Sequence, residues 1–333
     1  MRKIIVGAAC IRSIFISMAA GMATLSVTSA LAESSYPDHP IRLIVPYSPG
    51  GTTDLISRIV ARGLSKELGQ QVVVDNKAGA AGTIGTAHAI NAKPDGYTLG
   101  MGGTTSLTIA PYLRKDMPYD SRKDLTPIGI VATGPFILVT SPRVNASTFK
   151  VFVDTAKASP GKFNYGSSGV GGMHHVLTEK FNRTLGIDAV HVPFKGGGEN
   201  TSNLLAGNID YMLESVSSIL PMIQDGRVKA LAVTSAKRLA ALPDVPTVAE
   251  LTGTDFKGDS IIGIVGPDQL PAPVIARLDA ALAKTMKNEE VRKGIELLGS
   301  TPEYMPSQGF AELIDSEVGS WGKVAKDAAI PKQ

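Results

Sequence analysis

Residues 37–54 read Pro-Asp-His-Pro-Ile-Arg-Leu-Ile-Val-Pro-Tyr-Ser-Pro-Gly-Gly-Thr-Thr-Asp, and this stretch constrains the fold more than any other. The apolar run from Ile41 to Val45 has the length of a buried strand, and Pro46 ends it. Gly50-Gly51 follows, then a helix start at Thr52, Thr53 or Asp54. Leu55, Ile56, Ile59, Val60, Leu64 and Leu68 then recur at helical spacing. A buried strand running through a glycine-rich turn into a helix N-terminus aims several backbone N–H groups at one spot. The helix dipole favours negative charge there. An ordinary capped turn gives the same sequence signal, because glycine-rich strand–helix turns are frequent in α/β folds.

The N-terminus reads as an export signal. Residues 1–32 carry Arg2, Lys3 and Arg12 and no acid, then an apolar stretch from Ile14 to Leu31. Ala30-Leu31-Ala32 is a small-x-small cleavage site followed by polar Glu33-Ser34-Ser35, so cleavage is expected after Ala32. An uncleaved anchor would have the same length, but the Ser and Thr residues dilute its apolar run. Cys10 precedes the strong apolar run, which argues against lipidation. Without the leader the chain has 30 Lys and Arg against 30 Asp and Glu, so its basicity belongs to the leader. No nucleic-acid surface is expected. The single cysteine also leaves with the leader, so stability must come from the core and not from disulfides.

Beyond the leader, strand and helix patterns alternate. Strands are expected at 41–46, 71–75, 97–101, 128–133, 136–140, 164–167, 189–193, 209–213, 228–234 and 260–265. Helices are expected at 53–68, 83–91, 148–158, 173–185, 199–206, 217–224, 245–251, 272–298 and 307–328. The expected fold class is α/β with two lobes, each a mostly parallel sheet flanked by helices. Four loops rich in small residues follow strands: 49–53, 76–82, 166–172 and 194–198. Ligands of open α/β sheets bind at the carboxyl ends of strands, so four such loops point to a crevice rich in backbone donors.

Tests for enzyme chemistry mostly fail. There is no G-x-S-x-G around Ser168, no Walker loop, no G-x-G-x-x-G and no H-E-x-x-H. His175 and Glu179 stand four apart on an expected helix, and His191 is a conceivable third zinc ligand; solvated or capping roles explain them as well. His174 opens its helix, facing the crevice or capping. Glu214 ends an apolar strand, meeting a ligand or solvent.

Several motifs together resemble the periplasmic solute receptors of the tripartite tricarboxylate transporter family, often called Bug receptors. They are Tyr36-Pro37 with Pro40-Ile41-Arg42, Pro46-Tyr47-Ser48-Pro49-Gly50-Gly51-Thr52-Thr53-Asp54, Val74-Asp75-Asn76-Lys77-Ala78-Gly79-Ala80-Ala81-Gly82, and Pro94-Asp95-Gly96-Tyr97-Thr98-Leu99. Asn164-Tyr165-Gly166-Ser167-Ser168-Gly169, His191-Val192-Pro193-Phe194-Lys195-Gly196, Leu231-Ala232-Val233-Thr234-Ser235 and Leu242-Pro243-Asp244-Val245-Pro246-Thr247 follow in the family's order.

The resemblance implies a two-lobed, type II periplasmic-binding-protein clamp. Lobe I would be 33–133 with 255–333, lobe II 134–254, and the hinge would lie near 133–136 and 252–257. It also implies a monomer that closes on a small organic carboxylate and hands it to integral-membrane transporter subunits, without cofactor, metal or catalysis. By motif, Tyr47, Gly50, Gly51, Thr52, Thr53 and Asp54 match the first ligand loop, and Gly79, Ala80 and Gly82 the second. Ser167, Ser168 and Gly169 match the third, Lys195 and Gly196 the loop opposite, and His174 is a candidate only from its place at the helix start. Thr104 and Thr105 occupy a Ser/Thr-rich strand end, though 102–111 lacks the His and Asn common there. Phe194 replaces a frequent Tyr, and Glu214 stands where members that take amino acids have Asp. The alternative is a secreted α/β hydrolase or lyase using Ser167 or Ser168 with His174. A receptor that serves signalling without a dedicated transporter would look the same in sequence.

Overall fold

The computed structural model describes residues 36–332; the expected signal peptide and its cleavage site lie outside them. β1 (Ile41–Val45) buries all its residues except Arg42, as a strand covered on both faces must. α1 (Thr52–Leu68) turns Ile56, Val60, Leu64 and Leu68 to the core and stops at Gly69, whose φ of 72° only glycine adopts without strain. β2 (Val72–Asn76), α2 (Thr83–Ile90) and β3 (Thr98–Gly103) follow, then a helical stretch from Thr105 to Leu113. β4 (Leu125–Gly134) ends the first run.

β5 (Phe136–Thr140) starts a second sheet after one intervening residue. It is followed by α3 (Phe149–Lys157), β6 (Phe163–Ser167), α4 (Met173–Leu185), β7 (Ala189–Pro193), α5 (Gly197–Leu205), β8 (Tyr211–Ser215), α6 (Val216–Gln224), β9 (Lys229–Val233) and α7 (Val248–Thr252). The chain then returns to the first sheet with β10 (Ser260–Pro267), α8 (Ala272–Lys287), α9 (Glu289–Leu297), β11 (Thr301–Pro306) and α10 (Ser307–Asp327).

The strand orders are β11-β4-β10-β3-β1-β2 and β7-β6-β8-β5-β9. Each sheet is mixed, which narrows the mostly parallel expectation. Pairing is parallel among β1, β2 and β3 and among β6, β7 and β8, where a helix crosses between strands. It is antiparallel where the chain enters or leaves a lobe, at β4, β10 and β11 and at β5 with β8 and β9. The parallel strands matter for function because their carboxyl ends carry the small-residue loops.

Three elements differ from the sequence reading, the first being the helical stretch Thr105–Leu113, where no helix was expected. The expected helix 272–298 is two helices, because Asn288 leaves helical geometry (ψ 124°) and its side chain accepts from the N–H groups of Glu290 and Val291. β11 is a strand the hydrophobic pattern did not signal, and it sits at a sheet edge, where Pro302 and Pro306 are tolerated. The last helix serves both sheets. Phe310 and Ile314 join the core beneath β4 and β10, whereas Trp321 and Ala325 join the cluster built around Phe136, Tyr165, Leu177 and Phe181. Lys180 lies 5.1 Å above the Trp321 ring, and Arg183 donates to the carbonyl of Asp327.

Candidate functional site

The first loop spends part of its polarity on itself. The Gly50 N–H donates to Asp54 Oδ2 at 2.9 Å, with Gly50 at φ 85°. Asp54 is buried; Arg58 grips it with two nitrogens, at 3.1 and 3.0 Å, and Asn76 Nδ2 donates to its Oδ1 at 2.9 Å. Burial alone would raise its pKa, but the bonds from Arg58, Gly50 and Asn76 hold it below the ordinary carboxylate range. Asp54 thus pins the loop to β2 rather than offering charge to a ligand.

The residues after Gly50 remain available. Gly51 is the N-cap of α1 with extended backbone, and no side chain caps the helix, so its first-turn amides keep their donor capacity. A Cβ on Gly51 would meet only Ser48 O, at 3.6 Å. Thr52 Oγ1 lies 3.3 Å from Ser217 Oγ of the other sheet, which marks this helix start as a point where the lobes meet. Thr53 is half-buried on the same turn.

Around 79–82 the backbone is unusual. Gly79, Ala80, Ala81 and Gly82 all have positive φ, at 144, 45, 55 and 92°. Two alanines held there store strain that the surroundings must offset. Tyr47 explains the small residues: a Cβ on Gly82 would stand 3.1 Å from its hydroxyl, and one on Gly103 3.3 Å. Burial pushes the Tyr47 hydroxyl pKa up, with Ser106 opposing. Thr104 is spent, accepting from the Ile261 N–H at 2.8 Å; Thr105 is half-buried at the start of the next helical turn.

Three histidines shape the loop 166–172 of the second lobe. His191 Nε2 meets Ser167 Oγ at 2.6 Å, His174 Nδ1 meets Ser168 Oγ at 2.7 Å, and His175 Nδ1 accepts from the Gly171 N–H at 3.0 Å. Ser167 Oγ also bridges the Gly169 backbone, so this buried hydroxyl is fully used. The rings of His175 and His191 stack at 3.7 Å, and Tyr165 flanks the pair, 5.0 Å from His191 and 6.3 Å from His175. Burial pushes the pKa of both rings down to about 4, and the neighbouring His191 adds to this for His175. Glu179 accepts from the Tyr165 hydroxyl at 2.5 Å. His175, Glu179 and His191 therefore meet by stacking and hydrogen bonding to other partners; among the described residues no group of three or more His, Cys, Asp and Glu is arranged to hold a metal.

Glu214 lies within β8, buried to 2% exposure, one turn of chain from Ser217. Its Oε1 takes His174 Nε2 at 2.9 Å, the Ser215 N–H at 3.0 Å and Ser218 Oγ at 3.4 Å. Burial works to raise its pKa; the opposed His174 and these hydrogen bonds outweigh it and hold the carboxyl below its ordinary value. Gly197 at the start of α5 comes so close that a Cβ would lie 3.7 Å from both Glu214 oxygens. Lys195 is exposed and offers its backbone N–H to Glu199 at 3.0 Å, and Gly196 precedes α5 in extended conformation.

The structure thus joins Thr52, Ser168, His174 and Glu214 through Ser217 and its neighbours, whereas Asp54, Thr104 and Ser167 serve the scaffold. Ser217 was missed by sequence reasoning, although the run Ser215-Val216-Ser217-Ser218 directly after Glu214 was a visible signal. The Ser168–His174 pair that a hydrolase would need does exist, but relatives give that reading no support.

Residues 56–330 match the profile of the family described as "Tripartite tricarboxylate transporter family receptor". Protein BugT of Bordetella pertussis is 31% identical over 307 residues, covering 92% of this chain and 94% of its own. A solved periplasmic transporter is 36% identical with a TM-score of 0.77, covering 90% of this chain and 100% of its own. R. palustris Rpa4515, solved with adipate, is 28% identical with a TM-score of 0.77 over 89% of this chain and 99% of its own. With sheets, loop order and sequence in agreement along nearly its whole length, the chain belongs to the receptor family of the tripartite tricarboxylate transporters.

Proposed function

We propose that the protein is a periplasmic solute receptor that closes on a small organic carboxylate between its lobes and delivers it to the integral-membrane subunits of a tripartite tricarboxylate-type transporter. The observation that carries this is the opposition of two sets of strand-end loops, in contact at Thr52 and Ser217. The free amides of Gly51, Thr52 and Thr53 at the uncapped start of α1 grip one carboxylate, with the 79–82 turn and Thr105 beside them. Ser168 and its loop close from lobe II. The adipate held by the Rpa4515 relative supports this ligand class.

The lobes swing on the crossings near 133–136 and 252–257, and α10 acts as a third link that limits the swing. Export follows cleavage after Ala32, and the receptor works as a monomer. It does not transform its ligand. Calorimetry combined with recovery of the ligand tests this: one acid should bind per chain and return unchanged, and small-angle scattering should show compaction. Binding also stabilises by mass action, about 2.7 kcal/mol at a hundredfold excess over the dissociation constant. Conversion of the acid, or an unchanged radius of gyration at saturation, would overturn the reading.

A further inference from the structure

Ser168, His174 and Glu214 form one directed hydrogen-bond chain. Glu214 Oε1 already collects the Ser215 N–H and Ser218 Oγ, so it is an acceptor and His174 Nε2, 2.9 Å away, must carry the hydrogen. With the ring neutral, Nδ1 carries a lone pair and the Ser168 hydroxyl, 2.7 Å away, donates to it; a doubly protonated ring, ion-paired with Glu214, would reverse this bond. Against the neutral ring Ser168 is left with lone pairs only. Ser168 is half-buried in the loop after β6. Beside Glu214, the hydroxyls of Ser215 and Ser217 lie 2.6 Å apart and Thr52 of lobe I donates to Ser217, a second set of bonds that meets Glu214 only through the Ser215 backbone N–H. Phe136 packs edge-to-face with the His174 ring at a centroid distance of 5.2 Å.

We propose that Ser168 is the specificity-determining contact of lobe II, fixed as a hydrogen-bond acceptor by Glu214 acting through His174. The end of the ligand that meets it therefore bears an O–H or N–H and not a second carboxylate. Two carboxylate oxygens facing the Ser168 lone pairs would find no hydrogen to share, and Glu214 lies behind them as a like charge. His174 and Glu214 are positioning residues here: Oε1 is taken, and the other oxygen, Oε2, is buried, with the Asn200 side chain among the groups that favour the carboxylate. This rests on the carboxylate-receptor reading and names the second half of the ligand.

The test has two arms. Long-range nitrogen–proton NMR of the full mature chain at pH 7.5 without ligand should find His174 neutral with its hydrogen on Nε2. In Glu214→Gln the hydrogen should spread over both nitrogens. An Nδ1–H or doubly protonated ring in the wild type overturns the proposal. Calorimetry then compares adipate with adipate whose far carboxylate is replaced by a primary amide or an alcohol. The amide or alcohol should bind more tightly, and Ser168→Ala should weaken it about tenfold while leaving adipate unchanged. Equal losses, or tightest binding by adipate, overturn the proposal. If none of the three binds, adipate is the wrong carbon skeleton for this receptor, and the NMR arm alone decides the proposal.

Discussion

Acid should loosen the second lobe through His175. The ring is buried at 6% exposure, stacked on His191, and accepts the Gly171 N–H, so burial holds its folded pKa down at about 4 against 6.5 when free. A depressed histidine binds its proton in the unfolded chain first. Its contribution is therefore fully present above pH 6.5 and is lost as pH falls towards 4. Between pH 7 and pH 5 the loss is about 2 kcal/mol for this ring. His191, less deeply buried, adds about 1 kcal/mol once solvent screening is allowed for. The perturbation is His175→Gln, whose amide oxygen can still accept from Gly171 but does not titrate. Urea unfolding of both proteins should be followed at pH 7, 6 and 5. The wild type should lose about 2 kcal/mol more than the variant over that range, the other titrating groups cancelling in the difference. Parallel curves would refute the account of a neutral stacked pair shaping the loop.

Further outcomes follow from other sites. Gly51→Val should abolish binding of the acid while the fold survives, because a Cβ there meets only Ser48 O at 3.6 Å; calorimetry and circular dichroism together check it. Gly82→Ala should cost about 1–3 kcal/mol in urea unfolding, since its φ is 92° and the new methyl would press on the Tyr47 hydroxyl. Asn288→Ala removes the cap that separates α8 from α9 and should cost about 1 kcal/mol in the same assay. Asp259, beside the second crossing, has its pKa raised to about 6 by burial and by Glu303 and Glu317, against Thr234 and Lys180. The protonated form is the stabilising one, so this stability is present below pH 3.8 and lost as pH rises through 6. Asp259→Asn should stabilise the protein by about 2 kcal/mol at pH 8 and have no effect near pH 4.

The alternation of strands and helices was legible because apolar runs and periodic stripes are local: Phe136–Thr140 and Met173–Leu185 follow directly from them. β11 was not, because Thr-Pro-Glu-Tyr-Met-Pro carries no alternation and gains its pairing only from β4. The helical stretch Thr105–Leu113 was hidden by its Thr and Ile residues and by Pro111, all poor helix signals. Around the candidate site, the sequence located the small-residue strand-end loops but not which polar groups are consumed within them. Ser167 and Asp54 look as available as Ser168 and Thr53 until His191, 24 residues away, and Asn76, 22 residues away, are seen to occupy them. Likewise Glu214 read as a ligand contact because nothing local reveals that His174, 40 residues earlier, lies against it.

The central claim is that a carboxylate sits between the loops at Gly51–Thr53 and the loop of Ser168. Native mass spectrometry tests it most directly, on protein unfolded, dialysed, refolded and then exposed to a mixture of small organic acids, amines and sugars. The account predicts one adduct per chain, a carboxylic acid, unchanged in mass over hours and absent with Gly51→Val. An adduct lacking a carboxyl group, one that is converted with time, or one retained by Gly51→Val would contradict it.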